Sequence, residues 1–180
     1  EFRRVLFRSA SSLKSETFYR DNIGVNIAEK NSSFCELTGL YWAWQNGIFK
    51  NNQYVGLVHY RRYFAGKKLC LKKQHIASER ELLSLLEKYD AILPKKRNYF
   101  IESIYSHYQH AHHVKDLNCT REIISELHPE YIISFDAIMQ GRKIHIYNMF
   151  VMSSEKASEY CKWLFPILFE LEKRIDITQY

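Results

Sequence analysis

Six consecutive residues, His59-Tyr60-Arg61-Arg62-Tyr63-Phe64, put an imidazole, two guanidinium groups and two phenols into one short stretch. An arginine presents a planar fork of N–H donors that matches phosphate oxygens in pairs, and its charge does not titrate away. Such a cluster can hold an anionic ligand, a phosphate or diphosphate. It can equally be a basic strand–loop junction whose arginines pair with nearby acids, because surface ion pairs are common. A second run, Lys95-Lys96-Arg97, repeats the positive charge. Residues 105–113, YSHYQHAHH, carry His107, His110, His112 and His113, with His107 and His110 spaced to share one helix face. Imidazoles there can bind a metal or donate hydrogen bonds. No carboxylate or thiol is interleaved, and Tyr105 and Tyr108 suit stacking on a sugar or base equally well. Asn148 interrupts the apolar run 143–152, KIHIYNMFVM. A buried amide there needs partners, from the fold or from a ligand.

The elements that position these groups follow from local pattern. Residues 54–58, YVGLV, predict a short buried strand that delivers His59 at its carboxyl end. In open α/β sheets ligands collect at such ends. The run 89–93 predicts a second strand, closed by Pro94, which sets Lys96 just past its end. The run 143–152 predicts a third. Residues 21–31 are rich in turn formers. Ser33 and Glu36 then have the spacing of a capping box for a helix over 34–46, with Leu37, Leu40, Tyr41 and Trp44 on its apolar stripe and Glu36 and Thr38 off it. Asn46-Gly47 should end that helix. Residues 65–74 read as a basic surface loop, and helices are predicted over 78–88, 116–127 and 129–139. A final amphipathic helix, capped by Ser153 or Ser154, carries Pro166 as a candidate kink.

With 180 residues, 46% apolar content, 13 Tyr and 11 Phe, the chain is a folded, aromatic-rich protein of one domain's size. The net charge of +6 favours anionic partners: a phosphorylated small molecule, a membrane surface or nucleic acid. No Lys/Arg block of the nucleic-acid-binding kind is present, and a basic aromatic module that stacks on bases stands only as the alternative to an enzyme. The cysteines (Cys35, Cys70, Cys119, Cys161) are scattered, without CxxC pairs, as suits a reducing cytoplasm. No apolar stretch reaches transmembrane length. The expected location is cytoplasmic, with peripheral contact at the inner face of the plasma membrane. Residues 1–9, EFRRVLFRS, sit apart from the rest and read as a non-native, adapter-derived tail.

Several strings, DNIGVNIAEKNSSFCELTGLYWAWQN, YVGLVHYRRYF, DAILPKKRNYF, HIYNMFVM and EYCKWLFPILFELEKRIDI, occur in an order that resembles the bacterial family known as domain of unknown function 4422, whose members make capsular polysaccharide and exopolysaccharide. The resemblance covers about residues 20 to 180 and implies a single glycosyltransferase-like domain over 10–180, truncated at both ends. It implies an α/β, GT-A-like nucleotide-sugar-binding fold with a mixed, mostly parallel sheet flanked by helices. It implies transfer of a sugar from a nucleotide-diphosphate donor to an oligosaccharide or lipid-linked glycan acceptor, with no nucleic acid as partner. Many GT-A enzymes hold a divalent metal (Mn or Mg) on the donor diphosphate with Asp-x-Asp at a strand end, whereas this chain has His59-Tyr60-Arg61 there. The resemblance therefore assigns no certain cofactor. Either Arg61 or Arg62 neutralises the leaving diphosphate in place of a metal, or a metal site lies among residues 107–113. Beside it, His59, Tyr60, Arg62, Lys96 and His107 are the candidate substrate-binding residues, and Asn148 is the expected contact to a sugar hydroxyl. Asp176 becomes the base that an inverting transfer needs.

Overall fold

The computed structural model describes residues 19–59, 62–66 and 75–176. Their elements are α1 (Asn31–Phe34), α2 (Leu37–Gln45), β1 (Tyr54–Leu57), α3 (Glu79–Leu86), β2 (Ala91–Ile92), β3 (Arg97–Asn98), α4 (Ile104–Ala111), α5 (Val114–Leu127), α6 (Ile132–Gln140), β4 (Lys143–Ile144), β5 (Phe150–Ser153) and α7 (Ser154–Arg174). The described residues of 1–94 and 147–161 form one compact unit, and those of 95–146 and 162–180 form a second. The residues of the N-terminal tail expectation, as well as Tyr60, Arg61 and Cys70, lie outside the described residues.

In the first unit a three-stranded sheet runs in the order β1-β5-β2. Both neighbours are antiparallel to β5, with Leu57 opposite Phe150 and Ile92 opposite Val151. The mixed helix–sheet character matches expectation, but the mostly parallel sheet does not: every ladder among the described residues is antiparallel. A continuous apolar run was the reason to expect parallel pairing buried on both faces. Here Tyr54, Val55 and Gly56 are only half-buried, and an apolar run specifies extension without specifying direction. β1 and β2 still point the same way, because each is antiparallel to the strand between them. Their carboxyl ends and the amino end of β5 therefore share one sheet edge.

The single strand expected over 143–152 is also corrected. It breaks into β4 and β5, which belong to different sheets, with Tyr147 at φ 72° between them. A left-handed residue cannot continue a pleated strand. The helix expected over 34–46 is interrupted in the same manner: Cys35 has φ 47°, and α2 starts afresh at Leu37. The predicted Ser33–Glu36 capping box is absent, since no side chain caps α2. Gly47, at φ 76°, stops α2 as expected.

Leu37, Leu40, Trp42 and Ala43 of α2 enter the core, while Tyr41 and Trp44 are half-buried. Thr38, placed off the apolar stripe by its chemistry, is buried as well. Its hydroxyl donates to Asp21 Oδ2 at 2.7 Å, Trp42 Nε1 donates to the Ile23 carbonyl, and Asn46 Nδ2 donates to the Val25 carbonyl at 2.8 Å. These three residues recur every fourth position, so one helix face is given over to clamping the turn-rich loop at 21–25. α3 has the predicted Ser78 cap, completed as a capping box by Glu81. Ala65, at the start of the predicted loop 65–74, forms a β-bridge with Ile76 just beyond it.

The second unit packs α5, α6 and residues 162–174 of α7 around Ile123, Ile124 and Ile167, with Cys119, Ile132, Phe135, Trp163 and Leu171 against them. Charged forks tie its surface. Arg121 donates twice to Asp136 (2.7 and 2.6 Å), and Arg174 donates twice to Glu126 (2.9 and 2.6 Å) and once to Glu170. β3 and β4 form a two-stranded ladder beside α4. Past its end Phe100 holds φ 54°. Left-handed backbone costs an L-residue roughly 1–2 kcal/mol. Phe100→Gly should therefore leave the melting temperature unchanged or raise it, although it deletes a large ring. A lower Tm by calorimetry would show that the ring packs rather than projects.

Candidate functional site

The β1–β5 register, continued beyond Leu57 and Phe150, sets His59 across from Asn148. Both project from the sheet edge where β1 ends and β5 begins. The break at Cys35 brings a third group to them. Glu36, released from the capping role, accepts a hydrogen bond from Asn148 Nδ2 at Oε1 (2.9 Å), and the same oxygen lies 3.2 Å from His59 Nε2. That second contact is an ion-pair distance and not a formed hydrogen bond, because His59 Nε2 is buried without a hydrogen-bond partner. The two side chains keep 19% and 21% exposure, so the pair is partly open to solvent and not in the core.

Tyr147 completes the arrangement. Its left-handed backbone turns the ring edge-on to His59 at a centroid distance of 5.7 Å. The Arg62 guanidinium stands 4.2 Å above the same ring, where the face of the π system attracts a cation. A carboxylate, an imidazole, an amide and a guanidinium thus gather at this sheet edge, with the imidazole and the guanidinium against one exposed phenol ring. The first three are groups that bind sugar hydroxyls, and the fourth meets phosphate oxygens.

Of the residues singled out from sequence, His59, Arg62 and Asn148 are brought together here. Tyr60 and Arg61 lie outside the described residues. Lys96 is exposed just before β3 in the second unit, and Asp176 is exposed beyond the end of α7. Sequence reasoning missed two members. Glu36 was accounted for as a helix cap, and its real partner Asn148 is 112 positions away. Tyr147 was passed over because a β-prone aromatic in an apolar run gives no sign of positive φ.

His107 takes part in a different cluster, at the start of α4. Its Nδ1 and that of His110 lie 3.2 and 3.1 Å from Glu102, on opposite carboxylate oxygens. The shared helix face is as predicted, while the acidic partner comes from just before the helix. The hydrogen bond from His107 is the main influence holding the Glu102 carboxyl below its ordinary range, and His110 adds to it. The His107 ring also lies 4.0 Å from that of Tyr99. Among the described residues no group of three or more His, Cys, Asp and Glu has the geometry to hold a metal ion. The β1 end offers one carboxylate and one imidazole, and residues 107–113 direct two imidazole nitrogens at Glu102, so at both places the donor groups face one another.

Glu126, Asp136 and Glu170 are likewise held below the ordinary carboxylate range, chiefly by hydrogen bonds from Arg174, from Arg121 and from Lys173 with Arg174. A carboxyl with a folded pKa below its unfolded one stabilises the fold above the unfolded value. That contribution fades as pH falls through the folded pKa. The Tm should therefore decline once pH drops below about 4. The decline is modest because these pairs face water. Arg174→Gln should flatten part of that slope, and a Tm that rises on acidification would contradict it.

The α/β class with a polar cluster at one sheet edge is the class of protein that fold and site define. Within it, the chain belongs to the family described as domain of unknown function (DUF4422), which matches residues 4–180. It is similar to the apo structure of the bifunctional glycosyltransferase WbbM, with a TM-score of 0.79 and 26% identity. That similarity takes in 98% of this chain and 38% of the WbbM chain. No curated protein matches it. No helix among the described residues is long and apolar enough to cross a membrane.

Proposed function

We propose that this chain is the sugar-transferring part of a glycosyltransferase that takes its sugar from a nucleotide-diphosphate donor. The similarity to WbbM across nearly the whole chain carries this reading, and the Glu36–His59–Asn148–Arg62 cluster gives it a chemistry. Arg62, with Arg61 beside it in sequence, supplies fixed positive charge where a diphosphate leaves. Positive charge placed in advance favours the transition state because it needs no reorganisation as negative charge develops. Glu36 holds the Asn148 amide and lies against His59, which orients both towards sugar hydroxyls. Asp176 is the base for the acceptor hydroxyl if the reaction inverts configuration. The acceptor is an oligosaccharide or lipid-linked glycan of a capsule or exopolysaccharide, and transfer takes place on the cytoplasmic side.

The test is a screen of nucleotide-sugar donors on the intact protein, with and without chelator, together with thermal shift in nucleoside diphosphates. At least one diphosphate should raise Tm at low millimolar concentration, since a ligand that binds only the folded state stabilises by RT ln(1 + [L]/Kd). Arg62→Ala should abolish that shift. No turnover with any donor and no shift with any diphosphate would overturn the proposal.

A further inference from the structure

The turn from β3 to α4 holds two large apolar side chains in water: Phe100 is 73% exposed and Ile101 91%. The turn is fixed. The Phe100 amide donates to Asn98 Oδ1 at 3.1 Å, and the Arg142 guanidinium donates to the Phe100 carbonyl at 3.2 Å. The Ile101 amide donates to the Tyr99 carbonyl at 2.6 Å, and the Tyr99 amide donates to the Arg142 carbonyl at 2.9 Å. Phe100 keeps its positive φ within this network. Strained backbone of this kind persists where its surroundings over-determine it and is a feature of functional sites. Adjacent exposed apolar side chains mark an interaction surface.

The surroundings of the turn say which surface fits. The Arg142 guanidinium is at the Phe100 carbonyl, Arg97 lies 5.1 Å above the Tyr99 ring, and Lys143 is exposed opposite Asn98 in the ladder. The nearby acid in sequence, Glu102, is engaged by His107 and His110. An apolar tip with a cationic rim complements the boundary between phosphate headgroups and acyl chains of an anionic bilayer. The tip enters the apolar zone, and the cations meet the headgroup charge.

We propose that the turn at Phe100 and Ile101 docks this chain on an anionic phospholipid surface. The proposal does not depend on sugar transfer, and vesicle binding tests it without turnover. The intact protein should sediment with vesicles of phosphatidylcholine containing phosphatidylglycerol, much less with phosphatidylcholine alone, and binding should weaken as salt is raised. The double variant Phe100→Ser/Ile101→Ser should bind the anionic vesicles at least tenfold more weakly with an unchanged Tm, while Phe100→Trp, which keeps an apolar ring, should bind as the parent does. Equal binding by the parent and the double variant, or equal binding to both vesicle types, would overturn the proposal. So would loss of self-association in the double variant without any vesicle binding by the parent, which would assign the turn to a protein contact.

Discussion

Glu36→Gln should lower kcat/KM for sugar transfer by about 100-fold or more, a loss of about 2.7 kcal/mol in transition-state stabilisation. The substitution removes one charge and keeps the shape. Glutamine can still accept the Asn148 amide proton through its side-chain oxygen, so the clamp survives while the negative charge beside His59 disappears. The side chain is partly exposed, and its loss should move Tm by no more than a few degrees. Glu36 acts through its two neighbours, so a double-mutant cycle with Asn148→Ala should be strongly non-additive in kcat/KM. A merely structural acid would instead show losses in stability that track losses in rate. A variant within threefold of the parent would remove Glu36 from the site.

Leu40→Ala should cost about 2–5 kcal/mol of stability and lower Tm by roughly 5–15 °C. Leu40 is 1% exposed in the middle of α2. Interiors are packed too tightly to close over a hole of that size. The consequence extends beyond the core. The amino end of α2 carries Glu36, and the face bearing Thr38, Trp42 and Asn46 clamps the loop at 21–25. A helix loosened at its centre loses its hold on both. Denaturant unfolding followed by Trp fluorescence measures the cost, and a loss below about 1 kcal/mol would show that α2 is not packed through this side chain.

The two variants together separate site from scaffold. Glu36→Gln should spare stability and lower the rate, whereas Leu40→Ala should reduce stability first. Substrate should partly restore the second and not the first, because binding to the folded state offsets instability by mass action but supplies no missing charge.

Much of the local structure was legible in the residues themselves. The Ser78–Glu81 capping box, the stop at Asn46-Gly47, the strand at Tyr54–Leu57 and the helical face shared by His107 and His110 all rest on interactions within a few positions. Local hydrogen bonds and side-chain periodicity are encoded over such distances. The stretch HYRRYF also pointed to the sheet edge, because an apolar strand that runs into a basic cluster states its own geometry. His59 and Arg62 stand beside Asn148 and Tyr147 as a result.

Three things were decided only by the tertiary structure. Strand direction was one: extended residues specify a strand, while the antiparallel seat of β5 between β1 and β2 depends on how the whole chain returns. The left-handed turns at Cys35 and Tyr147 were another, since neither residue type favours positive φ and each is held there by its surroundings. The third was Glu36. Its spacing from Ser33 satisfied a local rule, yet the carboxylate found an amide and an imidazole from strands distant in sequence. By itself, the basic stretch at residues 59–64 determined that a cationic group would stand at a strand end. Only the folded sheet, which brings distant residues within hydrogen-bond reach, determined that a carboxylate would stand beside it.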